Sequence, residues 1–230
     1  MRIAPEGWPF FFIGLAATVL FGLSAASQGA SPGPLARGLF TWMAVLTGAL
    51  TLFTLFFFRD PTPATPSGDD LVLAPGEGRV IQIIQVEGPA FLQGPCTRIS
   101  IFLSVFNVHV QRAPVTGQVG YRDYIPGKYL AAWNPKASEE NEQASIGIQS
   151  GPHRVLVRQI AGLVARRVVS DPVEGDPVTR GDRIGIIRFG SRVDLFIPPE
   201  WEVACREGDR VKVGATVVAR IPTAGNQGPV

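Results

Sequence analysis

The chain has 230 residues, with 21 basic side chains against 19 acidic ones and a formal net charge of +2. Only Arg2, Glu6, Arg37 and Arg59 are charged among the first 59 positions, so the rest is balanced in sign. That balance disfavours nucleic-acid binding, which needs excess cations to neutralise phosphates. A hydrophobic share of 46% with 17% charged residues excludes a disordered chain, and 26 Gly with 20 Pro predict many turns.

No charge falls between Phe10 and Ala36, or between Gly38 and Phe58. The two apolar runs are each long enough to span a bilayer, and the turn-forming QGASPGP between them predicts a transmembrane helical hairpin over residues 1–59. A hairpin lying in one leaflet is the alternative. The second run follows the first at once, which argues for retention over a cleaved signal peptide. The Arg positions give a slight bias towards cytoplasmic ends. RDPTPATPSGDD reads as a Pro-rich linker over 60–70.

From 71 to 230 the sequence reads as one mostly-β domain. Strands are predicted at 79–86, 97–103, 144–149, 154–160 and 183–189, with VDLFI and ATVVARI after them. Period-two alternation is clear in RISIFL and RIGIIRF. LAPGEGRVIQI near the start and EGDRVKVGATVVARI near the end look like the halves of a lipoyl-type barrel-sandwich.

Cys96 and Cys205 form neither a CxxC pair nor a disulfide framework and read as small buried residues. His109 and His153 are the only histidines, so no zinc site is expected. Phosphate-binding glycine loops and a GxSxG nucleophile elbow are absent.

What remains is a series of unusual strings: FFRDP, APGEG, FNVHVQRAPVTG, RQIAG, ARR, RFGSRVD and GATVVAR. Taken alone, Gly190-Ser191 reads as a bulge or turn between strands. In this order and over nearly the whole chain, the strings resemble the short prokaryotic (type A) form of the phosphatidylserine decarboxylase proenzymes, which are pyruvoyl-dependent and cleave themselves.

The resemblance implies cleavage between Gly190 and Ser191 into chains 1–190 and 191–230, held together as a heterodimer. Ser191 becomes the pyruvoyl group, which forms a Schiff base with phosphatidylserine and yields phosphatidylethanolamine and carbon dioxide. His109 is implied in proton transfer, which suits an imidazole. Glu77 stands where many members have Asp and implies a carboxylate orienting the base. Arg112 stands where long-form members carry a second histidine. It is a candidate for the substrate phosphate or carboxylate, and His153 is a candidate self-cleavage base if the fold brings it near Ser191. Gly190 suits a strained backbone and an approach too close for a Cβ. Arg166 and Arg167 read as solvated or membrane-facing charges. The resemblance further implies the cell membrane, with the catalytic domain on the cytoplasmic face.

Two other readings stay open here. A membrane-anchored lipoyl-like carrier would need a modifiable Lys in a hairpin turn, and Lys128, Lys136 and Lys212 lack that context. A membrane serine peptidase would use Ser191 on other proteins.

Overall fold

A computed structural model describes residues 2–27, 34–127, 141–162, 168–188 and 190–222. The 28–33 turn, Lys128, Lys136, Arg166 and Arg167 lie outside the described residues. The chain divides into two compact units, Met1–Thr62 and Pro63–Val230.

In the first unit β1 (Arg2–Ile3) leads into α1 (Trp8–Ser27), and α2 (Pro34–Phe57) leads into β2 (Arg59–Asp60). The helices are about 30 and 36 Å long, at 1.5 Å of rise per residue. The spans Pro5–Ser27 and Leu35–Phe57 are long and apolar enough to cross a membrane. Their outer faces carry exposed Phe12, Ile13, Leu35 and Trp42, apolar surface that water does not favour. The helices meet at small residues: Gly14 lies so close to Thr51 that a Cβ has no room, and the Thr18 hydroxyl donates to Thr47 at 3.1 Å. β1 pairs antiparallel with β2, Arg2 opposite Asp60, and the Ala4 N–H donates to the Phe58 carbonyl at 2.7 Å. Both ends of the hairpin therefore emerge on one side.

The second unit is built of antiparallel strands: β3 (Leu71–Leu73), β4 (Gly78–Glu87), β5 (Pro95–Leu103), β6 (Val110–Arg112), β7 (Gly117–Ile125), β8 (Gln143–Ser150), β9 (His153–Ile160), β10 (Val168–Ser170), β11 (Pro177–Val178), β12 (Arg183–Ile187), β13 (Ser191–Ile197), β14 (Glu202–Val203), β15 (Arg210–Val211) and β16 (Val217–Arg220). The principal sheet has eight strands in the order β11-β7-β8-β9-β13-β5-β4-β15. Two three-stranded sheets accompany it, β10-β12-β6 and β14-β16-β3. The chain is thus mostly β after an apolar helical pair. The two sandwich-like pieces pair with each other, β3 with β16 and β4 with β15.

The unit boundary falls inside the Pro-rich stretch expected as a linker. Its second part is strapped to the β unit, because the Arg180 guanidinium donates to the carbonyls of Pro66, Gly68 and Leu71.

Alternation decides the two faces of the principal sheet. Ile99, Ile101, Val193, Leu195, Val157, Ile146 and Ile148 close the main core. On the opposite face Ser100, Asp194, Arg158 and Ser145 stand directly across from one another on β5, β13, β9 and β8. There Arg192 Nε donates to Asp194 Oδ1 at 2.6 Å and its Nη2 to the Ser100 hydroxyl at 2.7 Å. Burial pulls the Arg158 pKa below its ordinary value, while the Asp194 charge pushes back. Both cysteines are buried thiols, and burial pushes Cys205 up to about 11, which leaves it neutral and inert at neutral pH.

The Arg192 and Asp194 side chains are 2% and 0% exposed, so removing one partner strands a charge out of water. Asp194→Ala should therefore lower stability by about 3–5 kcal/mol, read from denaturant unfolding, and Ser100→Ala by only about 1–2 kcal/mol.

Candidate active site

Three of the strings singled out in the sequence converge on one end of the principal sheet. Ser191 opens β13 opposite Leu103, the last residue of β5. The chain leaves β5 at Leu103 and enters β6 through residues 104–109, and it leaves β12 at Ile187 and re-enters the principal sheet at Ser191. β6 pairs with β12, and the Ile187 N–H donates to the His109 carbonyl at 3.3 Å. Two connections thus join the same pair of sheets, one carrying His109 and the other ending at Ser191. Ile187 and Ser191 are four Cα steps apart, which limits their separation to about 14 Å even at full extension.

The 104–109 connection is a hydrogen-bonded turn. Asn107 Oδ1 accepts from the Ser104 N–H at 3.0 Å and from the Ser104 hydroxyl at 2.7 Å. His109 Nδ1 stands 3.0 Å from the Asn107 carbonyl oxygen. A carbonyl can only accept, so Nδ1 carries a proton in this contact, and a ring so held presents the Nε2 lone pair when neutral. His109 is fully buried.

Glu77 supports this turn from the β3–β4 connection. Its Oε1 accepts from the Val108 N–H at 3.1 Å and from Asn107 Nδ2 at 3.4 Å. Glu77 therefore holds the segment that carries the imidazole. The Glu side chain is long enough to reach a backbone amide on the β5–β6 connection.

Sequence reasoning missed the amides behind the histidine. Gln111 Nε2 donates to the His109 carbonyl at 2.5 Å, Gln159 Nε2 donates to Gln111 Oε1 at 2.8 Å, and the Ser170 hydroxyl donates to Gln159 Oε1 at 2.6 Å. Gln159 is the Gln of RQIAG, so that string acts through His109's own backbone. The two glutamines lie 48 residues apart on strands that also carry arginine, so neither string signals the pairing.

Ser191 is 0% exposed, and its hydroxyl has no hydrogen-bond partner among the described residues. A buried hydroxyl without a partner costs free energy, so a functional account is called for. Gly190 takes φ = +45°, a left-handed conformation that favours glycine. The expectation of a close approach is corrected, however: a Cβ built on Gly190 meets nothing within 4 Å. The requirement there is on the dihedral, not on space.

His153 is corrected as well. β13 pairs with β9 in a register that sets Arg192 opposite Ile160, which puts Ser191 level with Ala161. His153 lies eight residues further along, about 26 Å of strand. Its ring packs edge-on against Trp201, with centroids 5.2 Å apart. It is not brought near Ser191 and cannot act on it. Arg112, three residues beyond His109, has one arm committed to the Gly181 carbonyl at 2.9 Å. Its guanidinium thereby ties β6 to the turn before β12.

A cavity of about 630 Å³ opens beside these residues, lined by Glu77, Phe102, Ser104 and Asn107 with Arg79, Phe106, Arg210 and Lys212 among others. Phe102 and Ser104 flank Leu103, the partner of Ser191. The volume is in the range that admits a small-molecule head group.

The chain matches the sequence profile of the family described as phosphatidylserine decarboxylase over residues 50–219. A protein of Symbiobacterium thermophilum is 47% identical over 223 residues, covering 96% of each chain. One from Salinibacter ruber is 49% identical over 175 residues, 74% of this chain and 77% of its own. One from Geobacter metallireducens is 43% identical over 224 residues, 96% of this chain and 97% of its own. All three are named phosphatidylserine decarboxylase proenzyme.

Glu77→Ala removes the carboxylate acceptor of the Val108 amide. It should cost about 1–3 kcal/mol in denaturant unfolding and speed hydrogen exchange at Val108. His153→Ala, at the far end of β9, should leave that exchange unchanged.

Proposed function

We propose a function for this chain from its family: it belongs to the phosphatidylserine decarboxylases. It is accordingly a carboxy-lyase that converts phosphatidylserine into phosphatidylethanolamine and carbon dioxide. The carrier and peptidase readings are not favoured. The finer reading is that Gly190 and Ser191 are the cleavage site and that Ser191 is the precursor of a pyruvoyl group.

The observation that carries this reading is the buried Ser191 hydroxyl without a partner, next to a left-handed glycine and beside the turn that holds His109. These residues fit such a group, because no existing bond has to be given up for the hydroxyl to act. In the uncut chain the Ser191 oxygen adds to the Gly190 carbonyl carbon, and the Gly190–Ser191 C–N bond breaks as the ester forms. Removal of the Ser191 α-proton then expels the Gly190 carboxylate, and one water releases ammonia from the new terminus. A serine hydroxyl is a weak nucleophile at neutral pH and needs a base. With His153 remote, His109 is the remaining histidine of the chain, and its Nε2 lone pair meets that need. The pyruvoyl group, once formed, supplies an electron sink for the pair left when carbon dioxide departs. His109 holds the proton that must be returned to the substrate's α-carbon. Glu77, Asn107 and Gln111 keep the imidazole and its carbonyl in place.

The chains 1–190 and 191–230 remain associated, because β13 stays paired with β5 and β9. We further propose that residues 1–59 anchor the enzyme in the cell membrane, with the domain from 71 onward at the cytoplasmic face and 60–70 between them. The substrate is a lipid confined to a leaflet, and a tether raises the local concentration of enzyme at its head groups.

Mass spectrometry of the purified protein tests the cleavage site. Two chains are expected, divided after Gly190, the shorter with a carbonyl-reactive terminus. Ser191→Ala should give one uncut, inactive chain, and normal cutting of that variant would refute the assignment. His109→Ala should slow self-cleavage and turnover by about 10²–10⁴-fold, the usual worth of general acid–base catalysis. Full rates in both would remove His109 from the mechanism. Gly190→Ala meets no clash but must hold a left-handed dihedral, at about 1–2 kcal/mol. It should fold and cut about ten times more slowly or worse, measured as the half-time of chain splitting.

A further inference from the structure

The cavity beside the site carries an unbalanced set of cations. Arg79 on β4 and Arg210 on β15 stand directly opposite each other in the antiparallel register, and Lys212 follows two residues later. All three are exposed and none has a side-chain hydrogen bond or ion pair among the described residues. Like charges directly across a sheet destabilise it. The acids nearest Arg210 in sequence do not relieve the pair: Glu207 accepts from the Ile83 N–H at 2.8 Å and Asp209 from the Arg206 N–H at 2.8 Å. Glu77, the one carboxylate among the described residues that line the cavity, faces the Val108 amide and Asn107. On the same rim Phe106 is 67% exposed, an apolar surface beside the charges.

We propose that Arg79, Arg210 and Lys212 form the subsite that binds the anionic head group of the substrate and separates it from the product. The inference rests on the decarboxylase reading above. The head group of phosphatidylserine carries a phosphodiester, a carboxylate and an ammonium, a net charge of −1. Loss of carbon dioxide removes the carboxylate and leaves a head group of zero net charge. A cluster of cations with one outlying carboxylate therefore holds the substrate more strongly than the product, and the reaction itself weakens the grip that must be released. Guanidinium forks suit phosphate and carboxylate oxygens, which accept two parallel N–H bonds. Phe106, beside them, meets the glyceryl and acyl portion.

The test uses the full-length, self-cleaved enzyme and dihexanoyl phosphatidylserine below its micelle concentration, so that no lipid surface contributes. Arg79→Gln/Arg210→Gln should cleave itself normally by intact mass and raise KM about tenfold or more, the loss of at least one charge-assisted contact. Its kcat should not fall by more than about twofold, because the missing contact is made to the bound substrate at least as strongly as to the transition state. Arg79→Lys/Arg210→Lys should recover part of the loss, and the wild-type KM should rise with salt more steeply than that of the double Gln variant. An unchanged KM on the soluble substrate would overturn the proposal. So would a loss confined to anionic vesicles, which would make the cluster a leaflet-docking surface. Failure of the underlying reading looks different: the wild type itself would be uncut and without decarboxylase activity.

Discussion

The site depends on β13 being held from both sides. All seven of its residues are buried, paired with β5 along the whole strand and with β9 along most of it. A strand in that position cannot drift when the peptide bond ahead of it is broken. Its neighbours supply the hydrogen bonds that covalent continuity would otherwise have secured. The proposed cleavage thus falls where a new terminus gains freedom only for its leading atoms.

The charged residues that follow Ser191 reinforce this. Strand side chains alternate between faces, so a slip of one residue would drive Arg192 and Asp194 into the apolar core face. In the observed register Arg192 finds Asp194 and Ser100 on the polar face. A buried ion pair is weak evidence of net stability, because desolvation offsets much of the attraction. It does penalise the wrong register heavily. The RVD of RFGSRVD is explained by this fixing of Ser191 against Leu103.

Much of this was legible in the sequence. Period-two runs such as RISIFL became β5, and two uncharged apolar runs became α1 and α2. Other parts were not. β7 escaped notice because Gly117, Gly120 and the consecutive charged or aromatic residues Tyr121 to Tyr124 break its alternation, and the structure puts a bulge between Val119 and Tyr121. The Gln111–Gln159 bond joins strands far apart in the chain, and nothing local in either string announces a partner. His153 looked eligible because sequence gives residue types but not the end of a strand on which they fall. The strand register alone excluded it. Gly190 was assigned to the right conformation for a partly wrong reason, since crowding and dihedral strain leave the same letter in a sequence.

The burial of Ser191 has a chemical consequence for the order of events. A lipid head group cannot reach a side chain with no exposed surface, and neither can bulk water. While the chain is intact, the closest electrophile for this hydroxyl is the carbonyl of its own preceding residue, delivered by the backbone at no entropic cost of encounter. In the proposed route, the same burial therefore favours attack from within the chain over attack from outside, and leaves an uncut molecule no exposed Ser191 hydroxyl to misfire.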